Sequence, residues 1–130
     1  MGPKVLLINK YSASDGDLFP WSFKANKIGK VIGTRTWGGI IGISGSLPYM
    51  DGTDVRVPFF TNYDAKTGQW IVENHGVDPD ILIDNDPVKE QMGEDQQLNK
   101  AIEVILQELK DRKPLPPVPA PRTYKDLGVE

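Results

Sequence analysis

The sequence predicts one α/β domain, a mixed sheet with flanking helices, and three observations predict it. An apolar run, Val5-Leu6-Leu7-Ile8, stands before a polar turn and a stretch of helical spacing. Short β-type runs rich in Val, Ile, Thr and Phe follow, each bounded by Gly, Asn or Asp turns. Leu98, Ala101, Ile102, Ile105, Leu106 and Leu109 then recur at i, i+3, i+4, i+7, i+8 and i+11, the signature of an amphipathic helix. The 130 residues, 38% hydrophobic and 25% charged, are enough for one modest core.

Composition excludes several function classes. A net charge of -3 argues against a nucleic-acid-binding surface. With no cysteine, disulfides, thiol catalysis and cysteine-ligated zinc are ruled out. No apolar run approaches the ~20 residues of a membrane-spanning helix, and only four apolar residues follow Lys4, too few for a signal peptide. Because Met1-Gly2-Pro3 enters a strand almost at once, the chain is expected to be cut from something longer.

In order along the chain, Val5 to Ile8 reads as a buried strand. Asn9-Lys10-Tyr11-Ser12-Ala13-Ser14-Asp15-Gly16-Asp17 follows as a strand-to-helix turn, and Leu18, Trp21, Ala25 and Ile28 mark a helix that Gly29 would stop. Asp15 and Asp17 lie where a first helical turn favours acids. A turn of this kind lifts a serine hydroxyl above the sheet edge and aims free N–H groups at a ligand, which suits a nucleophile beside an oxyanion site. The plainer reading makes Ser14 or Asp15 the helix N-cap.

Lys30 to Thr36 reads as a strand, broken by Trp37-Gly38-Gly39 and resumed from Ile40 to Leu47. The glycine-rich part lacks the Gly-Lys-Ser/Thr ending of a phosphate loop and reads as a bend where backbones approach closely. Asp51-Gly52 is a turn, Val55 to Phe60 a strand whose Pro58 indicates an edge or bulge, Asp64 to Gly68 a turn, and Gln69 to Glu73 a short strand. Asp78, Asp80, Asp84 and Asp86 precede or flank a strand at Ile81 to Ile83. They lack the alternating ligands, sixth-position glycine and terminal glutamate of an EF-hand loop, so they read as solvated loop carboxylates, and no metal or cofactor is expected. The last helix has Gly93 as candidate N-cap, Glu94 and Asp95 in its first turn, Lys110, Arg112 and Lys113 in its last, and Pro114 as its stop. Residues 114 to 121 should run as an extended proline-rich segment, giving a domain over 1–113 and a tail over 114–130.

Three motifs in order carry a resemblance: Asn9 to Asp17, then Ile32-Gly33-Thr34-Arg35-Thr36-Trp37-Gly38-Gly39, then Val72-Glu73-Asn74-His75-Gly76-Val77-Asp78-Pro79-Asp80. From about Lys4 to Arg112 the chain resembles the C-terminal catalytic subdomain of the tricorn proteases, relatives of the C-terminal-processing serine peptidases. The resemblance implies a crotonase-like fold, incomplete in this chain, and peptide-bond hydrolysis through an acyl-enzyme. It implies that Ser14 is the nucleophile and that the Asp15 backbone N–H is an oxyanion donor. Glu73 would be the acidic member, acting through a second serine on a histidine base. Gly39 stands where the processing peptidases carry a lysine base, so a Ser–Lys dyad is not expected. In the family the base, its serine and a second oxyanion glycine come from sequence N-terminal to this region. The chain is therefore expected to be the downstream part of a catalytic core, inactive alone. Implied partners are peptide or unfolded-protein substrates, upstream domains of the same protease and further copies in a homo-oligomer. His75, the only histidine, does not match the base position. An alternative from another class is a non-catalytic crotonase-like module for assembly or peptide binding, and a third is an esterase.

Overall fold

The computed structural model describes residues 2–44 and 48–128. Strand β1, Val5–Ile8, has the predicted bounds. The serine turn leads into helix α1, Asp15–Ala25, and then into strand β2, Lys30–Gly33. β1 and β2 are parallel, with Leu6 opposite Val31 and Leu7 opposite Ile32. The two-residue strand Ile81–Leu82 joins the far side of β2.

Between these lies an antiparallel pair, β3 at Gly42–Ser44 and β4 at Val57–Phe60. Ile81–Leu82 is thus β5, and the parallel sheet has the order β1-β2-β5. The expected mixed sheet is therefore resolved into two, one parallel and one antiparallel. In the segment between β2 and β3, the Gly38 to Ile41 N–H groups go to carboxylates rather than to a neighbouring strand, as shown below. β4 is exposed throughout, which accommodates Pro58.

Side chains alternate across a strand. Leu6, Ile8 and Val31 therefore share one face, where they pack with Phe23 of α1. Leu7 and Ile32 point the other way. Ile32 is fully buried on that side, which places the last helix, α3 at Gln96–Lys110, over it, since α3 packs on β1 and β2. A short helix, α2 at Pro87–Gln91, precedes α3. A second cluster, Ile40, Ile71, Val72 and Val77 with Leu18 and Trp21, lies under the motif loops.

Several expected boundaries move for identifiable reasons. Helix α1 begins three residues before Leu18 and ends three before Ile28. Asn26 is its C-cap and Lys27 takes the left-handed conformation at φ 51°, so Gly29 is not the stop. Gly29 is required for space, because a Cβ there would stand 1.9 Å from the Lys4 carbonyl oxygen. The strand expected over Lys30 to Thr36 ends at Gly33. Of the strand expected over Ile40 to Leu47, Gly42–Ser44 forms and the last three residues lie outside the described ones. The strand expected over Gln69 to Glu73 is reduced to a bridge between Tyr63 and Trp70, since Val72 adopts φ 64° and turns the chain. Gly93 is not the N-cap of α3. That position is Asp95, whose carboxylate accepts the Leu98 N–H at 2.9 Å. The apolar stripe of α3 is only partly covered: Ala101 is buried, while Leu98, Ile102, Leu106 and Leu109 are 44–54% exposed. Residues 114 to 121 carry neither helix nor strand.

Candidate active site

Ser14 is the N-cap of α1, with φ 57° and ψ −112°. A non-glycine residue at positive φ is uncommon, and such strain gathers where surrounding structure enforces it. The Ser14 side chain makes no cap hydrogen bond. The turn is closed instead from Asp17, whose carboxylate accepts the Ser14 N–H at 2.9 Å. Ser14 and Asp15 are exposed. The N–H groups of Gly16, Asp17 and Leu18 are taken by Ala13 and Ser14 carbonyls at 2.8–3.0 Å. Among the described residues the Asp15 N–H has no acceptor, and it lies in the first turn of α1, at the positive end of the helix dipole. An exposed hydroxyl thus stands beside an open N–H donor. Of the two N-cap candidates, Ser14 and Asp15, the structure makes Ser14 the cap.

Glu73 lies on a second strained turn. Its own N–H reaches back to the Ile71 carbonyl at 2.6 Å across Val72, a tight three-residue turn of the rare positive-φ type. Val72 is β-branched and sits at φ 64°, and Asn74 follows at φ 62°. Burial of the Val72 side chain with Ile40, Ile71 and Val77 compensates that strain. The His75 and Gly76 N–H groups close the loop on the Val72 carbonyl at 2.9 and 2.7 Å. The result holds Glu73 half-buried between its two strained neighbours.

The run from Trp37 to Ile41 joins the two turns. Its Gly38 N–H donates to Asp17 Oδ1 at 2.8 Å and its Gly39 N–H to Asp17 Oδ2 at 3.3 Å. The next two, Ile40 and Ile41, donate to Glu73 Oε2 at 2.7 and 3.0 Å. The Trp37 N–H donates to the Ser12 carbonyl at 2.9 Å, and the Asn74 N–H to the Gly38 carbonyl at 2.8 Å. Ser14 and Glu73 share no hydrogen bond; the run between them links their turns. Close crossing of backbones makes the glycines necessary. At Gly38 (φ 90°) a Cβ would stand 2.5 Å from the Gly76 nitrogen, and at Gly76 (φ 85°) one would stand 2.3 Å from the Thr36 carbonyl oxygen. Buried Thr36 completes the crossing, its Oγ1 accepting the Val77 N–H at 2.7 Å. The sequence reading found the bend but missed Asp17 and Thr36.

His75 faces elsewhere. Its Nε2 lies 2.9 Å from Asp78 Oδ2, with the ring exposed, and it makes no hydrogen bond to Ser14 or Glu73. The Arg35 Nε donates to Asp78 Oδ1 at 2.7 Å. The His75 hydrogen bond, then that of Arg35, holds the Asp78 carboxyl below the usual carboxylate range. Asp80 is likewise engaged, accepting the Val31 N–H at 2.8 Å and pairing with Lys24 at 3.1 Å. Burial pushes its carboxyl up, and the Val31 and Lys24 contacts outweigh that and bring it below the ordinary value. Asp86 caps α2, accepting the Val88 N–H at 2.8 Å. Beside Glu73, a pocket of about 310 Å³ is lined by Ile41, Thr61, Trp70, Glu73 and Asn74.

Residues 1–83, which contain both strained turns and the run between them, match the model of peptidase family S41. The chain belongs to that family. Within it, the chain is similar to tricorn proteases. It is 44% identical over 112 residues to the tricorn protease of Thermoplasma volcanium, covering 86% of this chain and 11% of that protein. It is 43% identical over 111 residues to a putative tricorn-like protease C-terminal subunit of Sulfurisphaera tokodaii, covering 85% of this chain and 13% of that one. The S41 chain thus spans only about a tenth of the length of such relatives. Its fold superposes on the crystal structure of the tricorn protease with a TM-score of 0.77 at 42% identity, over 84% of this chain and 11% of that one. A more distant S41 likeness is the photosystem II D1 C-terminal processing protease, with a TM-score of 0.51 at 29% identity over 63% of this chain and 20% of that one.

Proposed function

We propose that this S41 chain carries the nucleophile of a tricorn-type serine peptidase within a crotonase-like core, and that its base comes from a segment outside these residues. The observation that carries the reading is the serine turn: an exposed hydroxyl on a strained N-cap beside an unengaged N–H, joined by one short run to a fixed glutamate. In the reaction, Ser14 Oγ attacks the scissile carbonyl carbon while its proton passes to the base. The oxyanion that forms is held by the Asp15 N–H and the α1 N-terminus. The base returns the proton to the leaving amine, the C–N bond breaks, and water then hydrolyses the acyl-enzyme by the same route.

His75 makes no hydrogen bond to Ser14, its ring nitrogen pairing with Asp78 instead, so the base is assigned to another segment. Glu73 keeps Oε2 on the Ile40 and Ile41 amides, leaving Oε1 to accept from a serine hydroxyl that in turn orients a histidine. The pocket beside Glu73 gives such a segment room to approach. In this reading residues 1–113 form the catalytic subdomain and 114–130 a tail. Substrates are peptides or unfolded proteins. The remaining domains and further copies of the protease would cover the exposed stripe of α3. The chain by itself is inert.

A non-catalytic assembly module is the second reading, favoured by the absence of a hydrogen bond between Ser14 and the only histidine. Peptide hydrolysis by the complete protease separates the two. Ser14→Ala should lower kcat by roughly 10⁶-fold, the scale set by removing a nucleophilic serine. Unchanged hydrolysis would reject Ser14 as the nucleophile, and no hydrolysis by the unsubstituted complete protein would favour the assembly module.

A further inference from the structure

Asp17 has no part in the chemistry just described, yet it is the one fully buried carboxylate among the described residues, at 0% exposure. A carboxylate withdrawn from water persists only when its oxygens are satisfied. Three backbone N–H groups do this: Ser14 at 2.9 Å and Gly39 at 3.3 Å on Oδ2, and Gly38 at 2.8 Å on Oδ1. The capping aspartates elsewhere behave differently. Asp86 is exposed and Asp95 half-buried, and neither carries a bond to the backbone of a distant turn. Asp17 spends one bond on its own turn and two on a run more than twenty residues away.

Both ends of that arrangement bear on Ser14. Its φ of 57° with ψ of −112° is a backbone state that the surrounding structure must enforce. The bond from the Ser14 N–H to Asp17 fixes the orientation of the peptide unit that precedes the nucleophile. The Gly38 and Gly39 bonds fix where that turn sits against a run whose next two amides are held by Glu73. We propose that Asp17 is the positioning residue of the site: it holds Ser14 in its strained conformation and sets its placement relative to Glu73. The inference rests on Ser14 being the nucleophile. A displacement of the turn moves Oγ and the Asp15 N–H together, away from the base and the oxyanion they serve.

The test uses the assembled enzyme, in which the chain is joined to the segment that supplies the base. Asp17→Asn is nearly isosteric but turns an NH₂ group toward N–H donors. Three quantities are read: labelling of Ser14 by a fluorophosphonate, kcat and KM for a peptide, and the thermal midpoint. Ala101→Gly in α3 serves as a destabilised control remote from the site. Labelling and kcat of Asp17→Asn should fall about 100-fold, the scale of a small misplacement of reacting groups, with KM nearly unchanged and the control as active as the parent. A folded Asp17→Asn enzyme that labels as fast as the parent would overturn the proposal. If the asparagine variant does not fold, Asp17→Glu keeps the charge and displaces it by one methylene. The same loss of kcat in a folded Asp17→Glu enzyme supports the proposal, and full kcat overturns it. Absence of Ser14 labelling in the unsubstituted enzyme is a different result. It removes the reading of Ser14 as nucleophile, and the positioning role with it.

Discussion

Asp17 and Glu73 divide four consecutive backbone N–H groups between them, Gly38 and Gly39 going to the first and Ile40 and Ile41 to the second. Each side chain accepts two adjacent amides, so this short run is anchored at both ends. With its amides spent on carboxylates it cannot join a sheet, and β3 begins only at Gly42. The strained serine turn and the strained glutamate turn are thereby held to one piece of backbone.

Glu73→Gln should separate the structural duty of that side chain from the catalytic one proposed for it. The amide oxygen can still accept from Ile40 and Ile41, so the thermal midpoint should fall only slightly. Orientation of the base would suffer, and kcat in the complete enzyme should drop on the order of 10²–10⁴-fold, the usual range for acid–base assistance, with KM little changed. Unchanged kcat would assign Glu73 to loop structure alone. Measuring kcat and the midpoint on the same preparation distinguishes these outcomes.

The crossing of the motif loops makes a stability prediction. Gly76→Ala would drive a Cβ to 2.3 Å from the Thr36 carbonyl oxygen at φ 85°. Gly93→Ala meets nothing within 4 Å, at φ 87°. The strained conformation alone costs about 1–2 kcal/mol, so Gly93→Ala measures that cost and Gly76→Ala measures it together with the clash. Urea unfolding should show a clearly larger loss for Gly76→Ala. Equal losses would mean that the Gly76 loop can shift away from Thr36.

His75→Ala should leave most peptidase activity in the complete enzyme, since the ring is exposed and makes no hydrogen bond to Ser14 or Glu73. A loss as deep as that of Ser14→Ala would make His75 the base. The same cluster has a pH signature. The Asp78 carboxyl lies below its ordinary value because of His75 first and Arg35 second. A depressed folded pKa means that its contribution is fully present above the unfolded value of about 3.9 and is lost as pH falls through the folded one. Asp78→Asn should therefore narrow the gap in urea midpoint between neutral and strongly acidic solution. The effect should be small, since exposed pairs contribute under about 1 kcal/mol. A gap as wide as the parent's would show that Asp78 plays no part in acid unfolding.

The parts of the fold legible in the sequence were those governed by local pattern. Val5–Ile8 is a continuous apolar run and forms the strand it predicts, and the spacing from Leu98 to Leu109 forms α3. Trp70-Ile71-Val72 has the same β-type composition and misleads. There, burial of Val72 and the tie of Glu73 to Ile40 and Ile41 outweigh strand propensity and force a turn. Helix α2 was signalled by Asp86-Pro87, an N-cap followed by a proline in the first turn, and was overlooked beside the aspartate cluster. Asp17 was legible only as a first-turn acid. Its bonds to Gly38 and Gly39 span more than twenty residues, and no local pattern encodes them.

The central claim is that Ser14 is a nucleophile whose base lies outside this chain, and mass-spectrometric mapping of a fluorophosphonate adduct tests it most directly. The chain is treated with the probe alone and then after the base-bearing segment is restored. The prediction is no adduct at Ser14 above that of ordinary surface serines in the first sample, and rapid, specific labelling in the second, when the base returns. Rapid labelling of Ser14 in the chain alone would contradict the claim by locating a base within these residues. No labelling in the restored, active enzyme would make Ser14 a helix cap and nothing more.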